Sequence, residues 1–359
     1  MGDSRAERAL RSLEGVGYWA AVAPLLSRLP AAIGYRAACR RGDWLFRRQT
    51  AKRAELVRNL TLLGNGLGTG LGTGLGTGLG AAAAQQVARD WFRFASCEVL
   101  DVMRLRRGTR PLRRLVEIQG REHLAAALAG GKGAILCGAH FGSYNSSYSL
   151  LHASGFPITS IGRWQYKYTV GLSSAERRFW DLVYRRLRRY RQRPNIEPWP
   201  GRVEVAALAA AALRANEVVT IAIDAPPLDS DLARAVEVPF LGRRAKLLPG
   251  VVTLARLTGA PVLMCFQYRR ADYRHQVLEI SAPVPMDGDV TTAFGRCAAG
   301  VSAAVERAPA HWAYWTSTPD LRTLELRGPD PVPSPAGPSP RADEVMMRHR
   351  AADRVPTPG

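Results

Sequence analysis

The sequence lacks long apolar runs. No stretch of about 18 consecutive apolar residues occurs, so no transmembrane helix is predicted. Residues 1–11 mix acidic and basic side chains, and no small-residue cleavage site follows an apolar core. A secretory signal is therefore not expected either.

Cysteine is scarce as well. The five cysteines are an odd number, and no two have the spacing of a metal or redox motif. We interpret them as small apolar residues of a protein in a reducing compartment, and no metal site is predicted. With 359 residues, of which 47% are hydrophobic, the chain can fold around its own core without disulfides or metals.

Lysine is nearly absent: only four occur among the 50 lysines and arginines of a chain with a formal net charge of +20. Such a surface attracts anionic membranes, nucleic acids or acidic small molecules. The sequence has no helix-turn-helix pattern, zinc spacing or aromatic RNA-binding signature. An anionic membrane surface is therefore favoured over nucleic acid as the partner.

Four regions are predicted along the chain. Residues 1–62 form amphipathic helices, whose apolar and aromatic face is flanked by arginines; this favours docking in a membrane interface, with packing on the core as the alternative. Residues 63–82, with glycine at nearly every second position, form a low-complexity insertion. Residues 83–326 form the main domain, within which 176–193 is a basic helix with aromatic residues on one face, and 327–359 form a disordered Pro-rich tail.

Strand and helix patterns alternate in the main domain, which predicts an α/β fold with a mixed central sheet and helices on both sides. The predicted strands are 115–119, 134–138, 158–162, 218–223, 261–268 and 276–281. The predicted helices are 83–107, 122–128, 146–153, 175–193, 203–215, 249–258 and 291–308. The strands 134–138 and 218–223 are apolar on both faces, as central strands are.

One histidine stands at the end of a predicted central strand. His140 follows residues 134–138, and a helix begins soon after it. The carboxyl ends of strands are where α/β proteins place their sites, and a helix N-terminus offers backbone N–H groups to an anion. Histidine can also accept a hydroxyl proton near neutral pH. A lone histidine is more often structural, so the context of the motif decides.

The segment from His140 to Asn145, His-Phe-Gly-Ser-Tyr-Asn, resembles the first signature of the lysophospholipid acyltransferase superfamily. It is most similar to the branch of lipid A biosynthesis and phosphatidylinositol mannoside acyltransferases, which typically reads His-Phe-Gly-Asn-Trp-Glu. The resemblance extends from about residue 25 to residue 323. Its other blocks are 58–60, 116–120, 131–133, 218–224, 238–242, 248–250, 254–261 and 312–316.

This resemblance implies a glycerol-3-phosphate acyltransferase-like fold and a general-base mechanism. His140 would deprotonate a hydroxyl of a glycolipid or phospholipid-like acceptor, which attacks an acyl thioester. The donor would be acyl-CoA or acyl carrier protein, a co-substrate rather than a cofactor, and the enzyme would lie peripherally on the cytoplasmic face of the cell membrane. The substrate-binding residues implied are Gly142, Ser143, Arg163, Arg243, Arg244 and Lys246.

The sequence departs from the family pattern at Asn145, where an acid normally orients the histidine. An amide can orient the ring but carries no charge to stabilise imidazolium. Another carboxylate could take this role, and Asp224 is favoured over Glu217 because it ends the neighbouring strand. Two alternatives remain open: an amine or specialised-metabolite acceptor, and an inactive homologue that binds a lipid or a protein partner.

Overall fold

The computed structural model describes residues 17–64, 80–162, 195–196, 204–225, 227 and 229–316. Within these ranges the chain is an α/β structure built on a six-stranded sheet. Its strands are β1 (Val116–Gln119), β2 (Ala134–Gly138), β3 (Ile158–Ser160), β4 (Val218–Ala222), β7 (Val262–Arg269) and β8 (Gln276–Val284), and β5 and β6 form a separate hairpin described below. The strand order in the sheet is β1-β8-β7-β2-β4-β3. Each predicted strand is confirmed: the bounds of β2 agree, and the other five strands are shifted by one to three residues at one or both ends.

The sheet is mixed, as predicted. β2 runs parallel to both of its neighbours, β4 and β7, and β4 runs parallel to β3. Only β7 and β8 pair antiparallel within this sheet. In the register, Gly138 at the end of β2 stands opposite Ala222 at the end of β4. The residues that follow these two strands therefore emerge side by side at one edge of the sheet.

Apolar cores lie on both faces of the sheet. Alternate residues of β2 point in opposite directions, because side chains alternate along a strand. Ile135 and Cys137 belong to one core, and Ala134 and Leu136 belong to the other. The helices that supply these cores confirm the prediction of helices on both sides.

The longer helices are α1 (Ala31–Arg48), α2 (Thr50–Gly64), α3 (Ala81–Leu105), α4 (Arg121–Ala129), α5 (Tyr144–Ala153), α6 (Glu204–Arg214), α7 (Gly250–Thr258) and α8 (Val290–Arg307). A π-helical turn (Tyr18–Val22) and a short helix (Ala23–Leu26) precede α1. No helix in the described ranges is both long and apolar enough to cross a bilayer.

The apolar face predicted for the first helices divides between the interior and the surface. Tyr35 of α1 is buried, and its hydroxyl donates to Asp101 of α3. Leu25 and Ile33, in contrast, are 62% and 54% exposed. Helix α1 therefore packs on α3 through one side, while α1 and the short helix before it leave large apolar side chains on the surface.

A two-stranded hairpin was missed in the sequence. β5 (Val236–Phe240) and β6 (Arg243–Leu247) pair antiparallel, and Arg243, Arg244 and Lys246 all lie on β6. Val238 and Phe240 of β5 and Ala245 and Leu247 of β6 are buried, and the residue between the members of each pair is not. This period-two pattern was the available signal, and Pro239 within β5 obscured it.

Several predicted features lie outside the described residues: most of the glycine-rich insertion, the basic helix at 176–193, Arg163 and the tail at 327–359. At the edges of the insertion, helix α2 extends to Gly64 and α3 begins at Ala81.

Candidate active site

His140 and Asp224 meet at the carboxyl edge of the sheet. His140 follows β2 and Asp224 follows β4, so the parallel pairing of these strands brings the two residues together. The ring Nδ1 of His140 is 2.8 Å from Asp224 Oδ1, and the backbone N–H of His140 donates to Asp224 Oδ2 at 2.9 Å. The Asp224 side chain is completely buried, whereas that of His140 is 27% exposed.

This contact defines which ring nitrogen of His140 carries the proton. An ionised carboxylate can only accept hydrogen bonds, so the nitrogen that faces it, Nδ1, is the donor. In the neutral ring, Nε2 then holds the lone pair that can accept a proton. A histidine held in this tautomer by a buried carboxylate is suited to general-base chemistry.

A C-terminal segment packs over the same two residues. Trp312 is buried, and its Nε1 donates to Asp224 Oδ2 at 2.9 Å. The backbone N–H of Ala313 donates to the carbonyl of His140 at 2.9 Å, and the ring of Tyr314 lies 4.8 Å from the imidazole between centroids. The sequence resemblance included this segment but did not reveal that Trp312 binds the carboxylate.

Gly142 brings the turn after His140 against β7. Its φ is +66°, in the region that disfavours side chains, and a Cβ at this position would stand 2.1 Å from the carbonyl oxygen of Gln267. The Gly142 N–H also donates to the carbonyl of His311 at 3.0 Å. Only glycine allows the turn to lie this close to the strand.

Ser143, predicted to bind substrate, directs its hydroxyl into the interior. It donates to Asp101 Oδ2 at 3.2 Å and accepts from Arg269 Nη2 at 3.1 Å. Asp101 and Arg269 form an ion pair in which each side chain is 1% exposed. Burial alone would lower the pKa of Arg269, but the Asp101 carboxylate outweighs it, so the pKa is raised and the guanidinium stays charged.

Other donors satisfy the same carboxylate. The Tyr35 hydroxyl and Gln276 Nε2 also donate to Asp101. Burial, together with the adjacent carboxylate, raises the pKa of Tyr35 well above its ordinary value. None of these residues was identified from the sequence, because they are separated by tens to hundreds of positions and no short motif connects them.

A second histidine near the site, His311, has a structural role. Its ring stacks on that of Phe141 at 5.6 Å between centroids, and its Nε2 accepts from the backbone N–H of Arg269 at 3.0 Å. Burial and the positive charge of Arg269 lower the pKa of His311 to about 3. This ring stays neutral at physiological pH and is not a candidate base.

The remaining predicted residues occupy different places. Glu217 precedes β4, at the opposite end of the strand from Asp224, and accepts from the Thr159 hydroxyl at 2.6 Å. Asn145 lies in the first turn of α5. Arg243 stands opposite Phe240 in the hairpin, and Phe240 packs on Trp312 at 6.2 Å between ring centroids.

Arg244 and Lys246 lie farther along β6, where Arg244 forms an ion pair with Glu237. The register therefore places Arg243 on the same face of the hairpin as Phe240, and Arg244 and Lys246 on the other face.

Residues 79–317 match the family of bacterial lipid A biosynthesis acyltransferases. This span is more than half of the 359-residue chain and contains His140, Asp224 and Trp312. Among curated proteins, none matches the chain significantly. The family match confirms the resemblance drawn from the sequence motifs.

Proposed function

Because the chain belongs to the bacterial lipid A biosynthesis acyltransferase family, we propose that it moves a fatty acyl group from acyl-CoA or acyl carrier protein onto a hydroxyl of a glycolipid or phospholipid-like acceptor. His140 is the general base of this reaction. The observation that carries the proposal is the 2.8 Å contact between His140 Nδ1 and the buried Asp224 carboxylate.

The proposed reaction needs only these two side chains for proton transfer. His140 Nε2 takes the proton of the acceptor hydroxyl while its oxygen attacks the thioester carbonyl carbon. The tetrahedral intermediate then expels the thiolate, which receives the proton from the imidazolium, so that an ester and a free thiol are formed. The Asp224 carboxylate stabilises the imidazolium between these steps, as the acid does in other His–acid pairs.

Asp224 also supplies the carboxylate that the sequence lacks at Asn145. The family pattern has an acid where Asn145 stands, but His140 already contacts a carboxylate from β4. An inactive, lipid-binding homologue has no need for that arrangement, and catalysis is therefore the better-supported proposal. An amine acceptor remains an alternative that the acceptor assay can distinguish.

Backbone N–H groups at the start of α5 and nearby basic residues are proposed to contact the substrates. The helix begins at Tyr144, directly after the His140 turn, and helix N-termini favour negative charge. Arg243 suits a phosphate of the donor or the acceptor, and Gly142 remains a predicted substrate contact. Arg163, Arg244 and Lys246 remain predicted phosphate contacts.

We also propose that the protein binds peripherally to the cytoplasmic face of the membrane. Val22, Leu25 and Ile33 are exposed apolar residues in the first helices, and Arg28 lies among them in the chain. Exposed Arg107 donates to the backbone of Ser27 at 2.8 Å and so adds a basic group from the end of α3. These five residues, Val22, Leu25, Arg28, Ile33 and Arg107, are called the docking surface below.

The decisive experiment compares the wild-type protein with His140→Ala in an acyl-transfer assay. Thiol release from an acyl-CoA or acyl carrier protein is followed with lipid acceptors that offer a hydroxyl or an amine. We expect turnover to fall by roughly 10²- to 10⁴-fold in the variant, the usual contribution of a general base.

The control is His152→Ala. His152 lies in the last turn of α5, and the site lies at the first turn of that helix. Circular dichroism and thermal melts establish that both variants are folded. Undiminished transfer by folded His140→Ala would refute the general-base proposal.

A further inference from the structure

The turn after β2 is anchored on both sides. In the sheet, β2 lies between β4 and β7. On the β4 side, His140 is bonded to Asp224 through its ring and its backbone. On the β7 side, Ser143 is bonded to Arg269, the last residue of β7, and to Asp101 of α3.

The anchor on the β7 side is rigid and charged. Asp101 accepts from Arg269, Tyr35 and Gln276 as well as from Ser143, so the carboxylate is held from several elements at once. Arg269 Nη1 is fixed in turn by the carbonyl of Tyr273 at 2.7 Å. Because the ion pair is buried, neither partner can turn away to water, and the Ser143 hydroxyl bonds to groups of fixed position.

Ser143 also determines where α5 begins. It is the residue before the helix, and its carbonyl accepts the backbone N–H groups of Ser146 at 2.8 Å and Ser147 at 3.1 Å. Ser143 thus connects the buried ion pair to the first turn of α5. It also lies only three residues after His140 in the chain.

We infer that Ser143 is a positioning residue for His140 and that the Asp101–Arg269 pair is the fixed support against which it acts. With this anchor, the turn cannot move away from β7, and the imidazole keeps its contact with Asp224. The inference rests on the proposed acyl transfer by His140 and adds the residues that hold the base in register. The backbone bonds from His311 and Ala313 secure Gly142 and His140 from the C-terminal segment, but they do not reach the ion pair.

Ser143→Ala is the informative change, because it removes only the link to the support and leaves the ion pair with its other partners. Ser146→Ala is the matched control: it is an equally buried serine of the same helix turn, and its hydroxyl donates only to the carbonyl of Ser143, at 2.9 Å. We expect kcat to fall by roughly 10-fold in Ser143→Ala, since small displacements of a catalytic group are costly. The KM for the acyl donor and the melting temperature should stay close to those of the control.

A double-mutant cycle tests whether the effect passes through His140. In the His140→Ala background, Ser143→Ala should cause no further loss of the residual turnover. Losses that multiply instead would show that Ser143 acts independently of the histidine and would overturn the inference.

A measurement without substrate separates this inference from the proposed function. The ¹⁵N chemical shifts of the His140 ring report the fraction of the Nδ1–H tautomer. That fraction should fall in Ser143→Ala and stay at the wild-type value in Ser146→Ala. If the wild-type protein transfers no acyl group, the proposed function fails, but the tautomer measurement still tests the positioning role. An unchanged tautomer fraction in Ser143→Ala would refute the positioning role of Ser143.

Discussion

At the scale of single residues, Asp224 is the group on which the site depends. Its buried carboxylate accepts from the ring Nδ1 and the backbone N–H of His140 and from Trp312 Nε1. The same carboxylate therefore orients the imidazole of His140, fixes its tautomer and joins the segment around Trp312 to the sheet.

Asp224→Asn should lower turnover by up to about 10⁴-fold, which is the loss that the equivalent change causes in enzymes with a Ser-His-Asp triad. The amide has nearly the same shape, but it can present its NH₂ group to the ring and so favour the wrong tautomer. Steady-state thiol release measures the effect.

Glu217→Gln provides the comparison, because it neutralises a buried carboxylate at the other end of the same strand. Turnover in this variant should remain within a few-fold of wild type. Equal losses in the two variants would mean that a general effect on β4, and not the contact with His140, explains the result.

At the scale of elements, the strands that carry the site could be predicted because their sequences are simple. β2 and β4 are largely apolar runs that end shortly before His140 and Asp224, so the pattern predicted both where the strands lie in the chain and that they are neighbours in the sheet. The hairpin of β5 and β6 was hidden by Pro239 and by charges on its outer face.

Contacts between distant elements could not be predicted in the same way. Nothing in the local sequence connects Asp101 of α3 with Arg269 of β7, or Trp312 with Asp224. The thiols of Cys39 and Cys97, which are also far apart in the chain, lie 3.7 Å from each other across α1 and α3. Such pairs arise from how helices and strands pack, and a single sequence does not reveal that packing.

The turn between β2 and α5 is the element most sensitive to a small change. Gly142→Ala should lower the free energy of unfolding, because left-handed backbone costs a residue with a Cβ about 1–2 kcal/mol. The Cβ would also stand 2.1 Å from the Gln267 carbonyl, so β7 or the turn must move. Urea unfolding and thiol release measure the two consequences, and we expect activity to be largely lost.

Gly131→Ala separates the two causes. Gly131 has a similar φ of +71°, but a Cβ there would meet nothing within 4 Å. The loss of stability in Gly142→Ala should exceed that in Gly131→Ala by about 2 kcal/mol or more, in the range of forced overpacking. If both variants lose the same stability, close approach to β7 is not what requires glycine at position 142.

At the scale of the whole molecule, charge and exposed apolar groups together favour one kind of surface partner. The formal net charge of +20 attracts anionic bilayers from a distance, but salt weakens this attraction within a Debye length. The exposed apolar residues of the docking surface can contribute a part that salt does not remove. A nucleic acid would offer counter-charges to the arginines but no apolar layer for Leu25 and Ile33.

The protein should therefore bind anionic vesicles reversibly, with affinity that decreases as salt increases but does not vanish. Each arginine near an anionic surface contributes about 1 kcal/mol, and full burial of a Leu or Ile side chain about 1.5–3 kcal/mol.

Replacing both Leu25 and Ile33 with serine should lower the binding that persists at high salt by at least roughly 10-fold. Leu257→Ser, which changes an apolar residue of α7 that is 56% exposed, should leave it unaltered. Co-sedimentation with neutral and anionic vesicles over a series of salt concentrations makes the comparison. Equal binding to both vesicle types, or tight binding to DNA with none to vesicles, would contradict the membrane proposal.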